Sequence, residues 1–324
     1  MKTTIAKVQE YILATFPVVE VLFRILYWKT SAGFWLFSKL KVKESAKSID
    51  SGNNDSNMIS RLQNEIVVHG INSGDILIVH SSKQILSSNG MSVSEVLSLL
   101  LNQLGPSGTL VMPAFPLYRQ NRGGSGYHGS YEVSETWTYD VKRTPPWTGA
   151  LPYALMKMKG AVRSRFPLNS IVAIGKHAEA MVKHELDVDG ATPCGPNSAW
   201  AYCANRNAKI LMLGVDLAHN LTMIHVAEDC FEKVWPIANW YRNRSFNIVF
   251  QGSEQIVNVR ERRPKWSLCY AERMLNQRLI KERIAKISKI GSMSVISLES
   301  SKLIEHLQKV GDDGYPYCMW QIFR

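Results

Sequence analysis

The segment LTMIHVAED, residues 221–229, places a histidine three residues before a carboxylate in an otherwise apolar helical pattern. Residues three apart on a helix share one face, so His225 and Glu228 are expected side by side. Three interpretations follow: a buried histidine of the core, a catalytic base, or part of a metal site. If Asn220 caps the helix, His225 lies near the first turn, where the positive helix end keeps an imidazole neutral and basic. No second His-x-x-Glu motif or third ligand follows, and we predict no metal.

Two apolar strands are predicted to position this segment and a second polar segment. The run ILIV (76–79) leads into a His-Ser-Ser sequence, and ILMLGV (210–215) leads into the helix with His225. The run TLVM (109–112) follows the first strand after one helix, and a β-α-β unit of this length predicts parallel neighbours. Ligands bind at the carboxyl ends of strands in open α/β sheets. Both polar segments are therefore expected at the edge of one crevice.

Further strands and helices define the fold class. The run IVAI (171–174) predicts a strand, FNIVFQGSEQIVNV (246–259) a hairpin, and residues 265–288 a long amphipathic helix. These patterns predict an α/β fold with three layers, α/β/α, around a mixed, largely parallel central sheet. The loop over residues 113–148 is expected to be functional, because structureless loops of this length are uncommon inside a compact body.

Charge and cysteine content limit the classes of partner. The 324 residues include 38 lysines and arginines against 27 acidic residues, a net charge of +11. Such a chain suits an anionic partner, but its cations are spread out, which argues against a nucleic-acid-binding protein.

The cysteines are odd in number and form no C-x-x-C pair, so we expect reduced thiols, a cytoplasmic protein and no structural zinc. They are Cys194, Cys203, Cys230, Cys269 and Cys318.

Residues 1–50 form a predicted apolar and aromatic helical extension to a body of residues 51–324. Charges and a proline interrupt the extension before it is long enough to cross a bilayer, and it lacks the form of a cleavable signal peptide. Two interpretations stay open. The extension forms a helical hairpin on the body or on a second subunit of a homo-oligomer, or it contacts the inner face of the cytoplasmic membrane. In the second case Trp28, Trp35 and nearby lysines face the lipid headgroups.

Six blocks of sequence follow one another through the body. They are VHSS (79–82), GPSGTLVMPAF (105–115), TPPWTGAL (144–151), GAVRSRFPLNSIVAIG (160–175), CGPNSAW (194–200) and ILMLGVDLAHNLTMIHVAE (210–228). Their order and spacing resemble the aminoglycoside 3-N-acetyltransferase family, the antibiotic N-acetyltransferases, over about residues 57–280. The resemblance implies an enzyme that moves an acyl group, typically acetyl, from acyl-CoA to the amine of a small molecule. It implies acetyl-CoA or another acyl-CoA as co-substrate, no metal and no nucleic acid.

The resemblance also implies the roles of three residues. The histidine of the last block is the family's general base and matches His225. A carboxylate farther along the chain orients that base, and the spacing of CYAE assigns this role to Glu272, with Glu228 as the competing orienter. A neutral imidazole, with a pKa of about 6.5, accepts the proton of an amine that attacks a thioester and returns it to the departing thiolate. A carboxylate on the other ring nitrogen fixes the tautomer.

A CoA cleft is implied by two of the blocks, VHSS and the block that contains RSRFP. The residues assigned to it are His80, Ser81, Ser82, Lys83, Arg163 and Ser164. A turn or a cap is the alternative for each serine, and a solvated surface charge is the alternative for each cation. The family has a histidine where this chain has Phe166, so we expect the nearby cleft, and with it the acyl group or acceptor, to differ.

The acceptor is predicted from charge. Aminoglycosides are polycations, and their site should be lined with carboxylates. The loop over residues 113–148 has three carboxylates against four cations, and the net charge of +11 favours an anionic ligand. We therefore predict a nucleotide-linked amino sugar of the kind used in bacterial surface polysaccharides. An aminoglycoside antibiotic is the alternative acceptor, and a non-catalytic scaffold docked at the membrane is the alternative of another class.

Overall fold

A mixed sheet of seven strands forms the centre of the chain. The computed structural model describes residues 11–29, 57–118, 136–234, 239–263 and 270–312. The strands of the central sheet are β1 (Ile76–Ser81), β2 (Thr109–Pro113), β4 (Val162–Arg163), β5 (Ile171–Gly175), β6 (Lys209–Leu213), β9 (Lys286–Ile290) and β10 (Met293–Glu299). A smaller sheet contains β3 (Trp137–Asp140), β7 (Tyr241–Phe250) and β8 (Ser253–Arg262). The order across the central sheet is β4-β5-β2-β1-β6-β10-β9.

The parallel part of the sheet lies at its centre. Strand β1 pairs in parallel with β2 on one side and with β6 on the other, so the predicted β-α-β unit is confirmed. The outer pairs are all antiparallel. The chain passes from β4 to β5 and from β9 to β10 through short connections, and a parallel pair would need a long crossover. The predicted mixed sheet is therefore confirmed: β1, β2, β4, β6 and β9 run in one direction, and parallel pairing of neighbours is confined to β2, β1 and β6.

Helices cover both faces of the sheet, as the three-layer prediction requires. They are α1 (Pro17–Lys29), α2 (Met58–Val68), α3 (Lys83–Ser88), α4 (Val93–Leu104), α5 (Ala150–Leu155), α6 (Ala178–Val182), α7 (Ala199–Ala204), α8 (Leu217–Asn220), α9 (Ile224–Cys230), α10 (Glu272–Lys281) and α11 (Ser300–Asp312). Side chains alternate along β1: Ile76 and Ile78 pack with α7, α9 and α11, whereas Leu77 and Val79 pack with α2, α4 and α5. Two apolar cores therefore lie on opposite faces of one sheet.

The smaller sheet confirms the predicted hairpin and extends it at both ends. Strands β7 and β8 pair over ten residues each, and β3 joins β7 in parallel. The turn uses Gln251 and Gly252, both with positive φ (51° and 82°), which suits the twist of a two-residue hairpin. A third apolar cluster lies between this sheet and the body and contains Phe166. The hairpin brings the end of β8 back toward α9.

Several predicted segments are shorter than expected or lie outside the described residues. The helix predicted over 265–288 is α10, Glu272–Lys281. Most of the N-terminal extension lies outside the described residues, as do residues 119–135 of the predicted loop. Within the described ranges, no helix is long and apolar enough to cross a bilayer.

Candidate active site

The carboxyl ends of β1 and β6 bring the two predicted polar segments together. The strands are in register with His80 beside Met212 and Ser81 beside Leu213. The backbone N–H of Ser82 donates to the carbonyl of Leu213 at 3.1 Å, so the pairing continues past the end of β1. The predicted shared edge is therefore present. Beyond it, the chain leaves β6 and turns into two short helices, α8 and α9.

The turn after β6 depends on a glycine. Gly214 has φ of +66°, and a Cβ at this position would lie 2.5 Å from Cγ2 of Ile85, so a side chain would be both strained and blocked. Asp216 caps helix α8, and its carboxylate accepts from the backbone N–H of His219 at 2.8 Å. Asn220 ends α8 and does not cap the helix of His225, so that expectation was wrong.

His225 is the second residue of α9 and sits in the first turn, as expected. Its Nδ1 is 2.9 Å from Oε2 of Glu228, and the imidazole side chain is 23% exposed. An ionised carboxylate accepts only, so Nδ1 donates in this pair, and in the neutral form of the ring the lone pair is on Nε2. Among the described residues, none forms a hydrogen bond with Nε2. The arrangement suits a ring that is held at one nitrogen and accepts a proton at the other.

Glu228 is the carboxylate that orients this ring, and it is completely buried. The hydroxyl of Tyr270 donates to Oε1 at 2.7 Å, and Arg262 donates to Oε2 at 3.1 Å. Burial alone would favour the neutral acid, but His225, Arg262 and Tyr270 outweigh it and lower the pKa of Glu228 below its usual value. Glu228 is therefore an anion at neutral pH, which stabilises an imidazolium when the ring takes up a proton.

Arg262 connects this pair to a second buried carboxylate. Its guanidinium lies 3.7 Å from Oδ1 of Asp229, which also accepts from the hydroxyl of Tyr241 at 2.7 Å. The other oxygen of Asp229 accepts from the backbone N–H of Cys194 at 2.8 Å. Burial raises the pKa of Asp229, and the neighbouring charge of Glu228 adds to the effect. Strand β8 therefore fixes α9 through one cation shared by two adjacent acids.

Glu272 does not orient His225, and this prediction was wrong. Glu272 is the first residue of α10, and its carboxylate forms an ion pair with Arg24 of α1. The CYAE segment does reach the site, but through Tyr270, which lies just before the helix begins. The predicted competitor, Glu228, occupies the orienting position three residues after the histidine.

The predicted CoA residues of the VHSS segment lie at the shared edge with different exposures. Ser82 caps α3 by accepting from the backbone N–H of Ile85 at 3.4 Å, and Lys83 is exposed in the first turn. Ser81 is half-buried. His80 is buried against Trp200, its ring 6.4 Å away and stacked, and burial lowers its pKa to about 4. Ser81, Ser82 and Lys83 keep surface for a ligand and stay predictions, whereas His80 is part of the core.

Arg163 and Ser164 do not line a cleft, and these two predictions were wrong. Arg163 is buried and donates to the backbone carbonyls of Ala114, Val141 and Thr144. Ser164 is fully buried and donates to the carboxyl of Glu185, at 2.7 Å from the nearer oxygen. Both side chains bind to other buried parts of the protein, and these hydrogen bonds satisfy donors that would otherwise be buried without partners.

Phe166, the residue at which the resemblance implied a histidine, lies in the apolar cluster beside the smaller sheet. The ring is fully buried and packs with Tyr118, Trp137, Tyr139 and Phe246. A phenyl ring has no polar atom to satisfy in this apolar cluster, whereas an imidazole would need partners. Phe166 therefore packs in a core in this chain, and the predicted change in the cleft stays a prediction.

A cavity of about 780 Å³ lies beside the carboxyl end of α9. Its lining includes Asp229 and Cys230 of α9 but not His225. The charged lining residues are Glu185, Asp189, Asp229, Glu232, Lys233 and Arg260. Arg260 donates to Glu232 at 2.6 Å, so these two charges offset each other. The lining has four acidic side chains against two basic ones, an acidic excess that contrasts with the basic charge of the whole chain. Burial raises the pKa of Glu185 to about 7 and Asp229 pairs with Arg262, so Asp189 is the lining carboxylate that carries most of this excess.

No metal centre is found among the described residues, where no cluster of histidine, cysteine and acidic side chains could hold an ion. Three of the cysteines, Cys194, Cys203 and Cys230, are free thiols in the described part of the chain. Burial raises the pKa of each of the three well above its usual value, so none is a reactive thiolate.

Sequence reasoning missed three residues of the site. Asp229 directly follows Glu228, and the adjacent pair of acids in an apolar helix was a usable signal. Arg262 and Tyr270 lie 34 and 42 residues away from Glu228 along the chain. Arg262 belongs to the RERR run (260–263), and the sequence does not indicate which arginine of that run turns inward.

Comparison with known proteins agrees with the fold and the sequence blocks. The aminoglycoside 3-N-acetyltransferase family model matches residues 78–310. An aminoglycoside N(3)-acetyltransferase IX from Micromonospora chalcea is 27% identical over 175 residues, which is 52% of this chain and 60% of that protein. The chain thus spans about 60% of the length of this curated relative.

Solved structures show the same fold. AAC-IIIb, solved as a binary complex with CoASH, has a TM-score of 0.61 and 19% identity, and the match covers 76% of this chain and 93% of that chain. AAC-VIa, solved with bound sisomicin, has a TM-score of 0.60 and 18% identity, with coverage of 76% and 94%. The family match covers most of the residues described above, and the chain belongs to the aminoglycoside 3-N-acetyltransferase family.

Proposed function

We propose that this protein transfers an acetyl group from acetyl-CoA to an amine of an aminoglycoside, with His225 as the general base and Glu228 as its orienter. The observation that carries the proposal is the pairing of Nδ1 of His225 with the buried Glu228 at 2.9 Å, which leaves Nε2 available. Membership of the family supports the reaction class. The CoASH bound to AAC-IIIb supports the acyl donor.

The reaction needs one proton to move twice. The acceptor nitrogen attacks the thioester carbonyl carbon and forms the new C–N bond, while Nε2 of His225 takes up the amine proton. The tetrahedral intermediate then breaks its C–S bond, and the imidazolium returns the proton to the departing sulfur. Glu228 stabilises the transient imidazolium through Nδ1. A thioester is already activated, so no covalent enzyme intermediate is required, and the buried thiols of Cys194 and Cys230 take no part.

The acceptor is proposed from the relatives and from local charge. The relatives are named for aminoglycosides, and AAC-VIa binds sisomicin. The acidic cavity beside α9 supports a cationic ligand, because carboxylates complement ammonium groups. The prediction of a nucleotide-linked amino sugar rested on the net charge and on the loop over residues 113–148, of which residues 119–135 lie outside the described ranges. Local charge near α9 has the opposite sign, and we give it more weight because it acts at shorter range.

The test is a comparison of acceptors. Purified protein and acetyl-CoA are mixed with sisomicin or gentamicin, and separately with a UDP- or dTDP-linked amino sugar, and thiol release is followed together with the mass of the product. We expect faster release with the aminoglycoside and a product heavier by one acetyl group. Faster release with the nucleotide sugar would reverse the choice of acceptor.

A His225→Ala variant tests the base in the same assay. We expect a loss of roughly 10²–10⁴-fold in kcat/KM, the usual range for removal of a general base. Far-ultraviolet circular dichroism provides the control for folding. Activity in the folded variant equal to that of the wild type would reject His225 as the base, and inactivity of the wild type with every acceptor would support the scaffold alternative.

A further inference from the structure

Tyr241 and Arg262 form the residue pair of the hairpin that is farthest from its turn. They lie opposite each other at the start of β7 and the end of β8, and opposite residues of an antiparallel pair share one face of the sheet. Both side chains reach α9. The hydroxyl of Tyr241 donates to Asp229, and the guanidinium of Arg262 lies beside both Asp229 and Glu228. The hairpin therefore presents one cation to two adjacent acids.

The neighbours of Arg262 in the strand bind elsewhere. Glu261 points to the opposite face, where it accepts from Arg242 at 2.8 Å. Arg263 donates to the backbone carbonyl of Tyr241 at 3.1 Å. Arg262 is therefore the cation of this run that contacts the acids of α9.

The buried cluster has one negative charge in excess. The side chains of Glu228 and Asp229 are completely buried, and the guanidinium of Arg262 lies 3.1 Å from the first carboxylate and 3.7 Å from the second. All four carboxyl oxygens accept hydrogen bonds, which is the pattern of two ionised acids. Two anions share one cation, so the cluster becomes neutral when His225 takes up a proton.

We propose that Arg262 and Asp229 are positioning residues that set, in opposite directions, how strongly His225 holds the transferred proton. The inference rests on the proposed function, in which this proton is taken up from the amine and returned to the thiolate. Arg262 holds Glu228 in place and disfavours a second positive charge on the ring, so the base is neutral when the amine arrives. Asp229 favours that positive charge, so the imidazolium is stabilised once it forms. Their balance suits a base that must both accept and release a proton.

Other titratable groups around the two acids do not change charge near neutral pH. Besides Arg262, the surrounding groups are His225, Cys194, Cys230, Tyr241, Tyr270, Arg260 and Glu232. Burial raises the pKa of both thiols and of the Tyr241 hydroxyl, so these groups stay uncharged. Arg260 and Glu232 form an ion pair at 2.6 Å, and Tyr270 uses its hydroxyl proton in the hydrogen bond to Glu228. Changes in protonation near neutral pH therefore fall on His225 and the two acids.

Titration of His225 in two variants tests the proposal. Loss of the cation in Arg262→Gln makes a positive charge on the ring easier to form, and the titration midpoint should move up by about 1 pH unit. Loss of the anion in Asp229→Asn should move the midpoint down by about 1 pH unit. The ring is followed by NMR without substrate, and its signal is assigned by its absence in His225→Ala.

Acetyl transfer provides a second measure of the same shifts. Activity needs a neutral base and an ionised Glu228, and loss of the cation works against both, whereas loss of Asp229 favours both. The acidic limb of the kcat/KM profile should therefore move to higher pH in Arg262→Gln and to lower pH in Asp229→Asn. A purely structural role would lower stability in both variants without moving the limb in opposite directions.

Three further variants serve as controls. Arg262→Lys keeps the charge, and Arg263→Gln removes a cation whose partner is a backbone carbonyl, so both midpoints should stay within about 0.3 pH unit of the wild type. Arg262→Gln should lose stability, because two buried anions remain without their cation. The double variant of Arg262→Gln with Asp229→Asn removes one charge of each sign and should return the midpoint toward that of the wild type.

The outcomes separate this proposal from the proposed function. An unchanged midpoint in Asp229→Asn, or shifts in the same direction in both single variants, would overturn the proposal. Asp229→Asn alone decides the matter when Arg262→Gln does not fold. Either result in a protein that transfers acetyl groups would leave the proposed function intact, whereas full activity in His225→Ala would reject His225 as the base.

Discussion

Two buried glutamates in this protein face opposite electrostatic surroundings. Glu228 and Glu185 are both buried and both accept hydrogen bonds. Glu228 has a guanidinium and an imidazole beside it, and its pKa is lowered. Burial raises the pKa of Glu185 to about 7, because its close partners are the hydroxyl of Ser164 and backbone N–H groups, which lower the pKa too little to offset burial.

The difference shows what decides the charge of a buried acid. Hydrogen bonds satisfy both carboxyl groups, but only Glu228 has a cation within ion-pair distance, Arg262 at 3.1 Å. A carboxylate that must stabilise an imidazolium has to be ionised before the proton arrives. Glu228 meets that condition at neutral pH, whereas Glu185 is close to its titration midpoint.

The largest expected effect on stability distinguishes the two acids directly. Glu228→Gln leaves the charge of Arg262 buried with a weaker partner, Asp229 at 3.7 Å, and should lower the free energy of unfolding by about 3 kcal/mol. Glu185→Gln replaces an acid that is mostly neutral at pH 6 and should cost about 1 kcal/mol or less. Urea denaturation at pH 6 measures both. Equal losses would mean that the two carboxyl groups carry the same charge.

A second prediction concerns pH. The pKa of Glu185 is about 7 in the folded protein against an ordinary value of 4.5. As pH rises between these values, the unfolded chain loses this proton while the folded protein keeps it, so stability falls with rising pH. The contribution is at most about 3 kcal/mol at ~1.4 kcal/mol per pH unit. Glu185→Gln should therefore gain stability relative to the wild type from pH 5 to pH 8, and parallel stability curves would contradict this.

A smaller effect is expected from the tyrosines that support the two acids of α9. Tyr270→Phe removes the hydroxyl that donates to Glu228 at 2.7 Å and should lower kcat about tenfold, the equivalent of roughly 1.4 kcal/mol. Tyr241→Phe is the matched control, because its hydroxyl donates to Asp229 instead. We expect that control to lose stability but to keep kcat within about twofold. Steady-state kinetics that rank the two variants in the reverse order would reject the role of Tyr270.

Local sequence patterns predicted the parts of the site that local geometry determines. The spacing of His225 and Glu228 predicted their shared helical face, and the β-α-β pattern predicted β1 and β2 as parallel neighbours. Tyr270 and Arg262 reach the site through tertiary contacts that span 42 and 34 residues, which a single sequence does not encode as spacing. Glu272 was chosen because a carboxylate suits the role, but α10 begins at this residue and turns it toward α1.

The wrong assignments of Arg163 and Ser164 have a different physical cause. Both residue types bind phosphates well when exposed, and a sequence does not show exposure. Arg163 uses its donors on three backbone carbonyls, and Ser164 uses its hydroxyl on Glu185. The acceptor prediction used the net charge of the chain. It did not consider the local charge beside α9, where Glu185, Asp189 and Glu232 line the cavity.

The central claim is that Glu228, and not Glu272, orients His225. The direct measurement is kcat/KM for acetyl transfer by Glu228→Gln and Glu272→Gln, under conditions where circular dichroism shows both variants folded. The account predicts a loss of at least about 10²-fold for Glu228→Gln and a change within about twofold for Glu272→Gln. A large loss in Glu272→Gln together with near-normal activity in Glu228→Gln would contradict it.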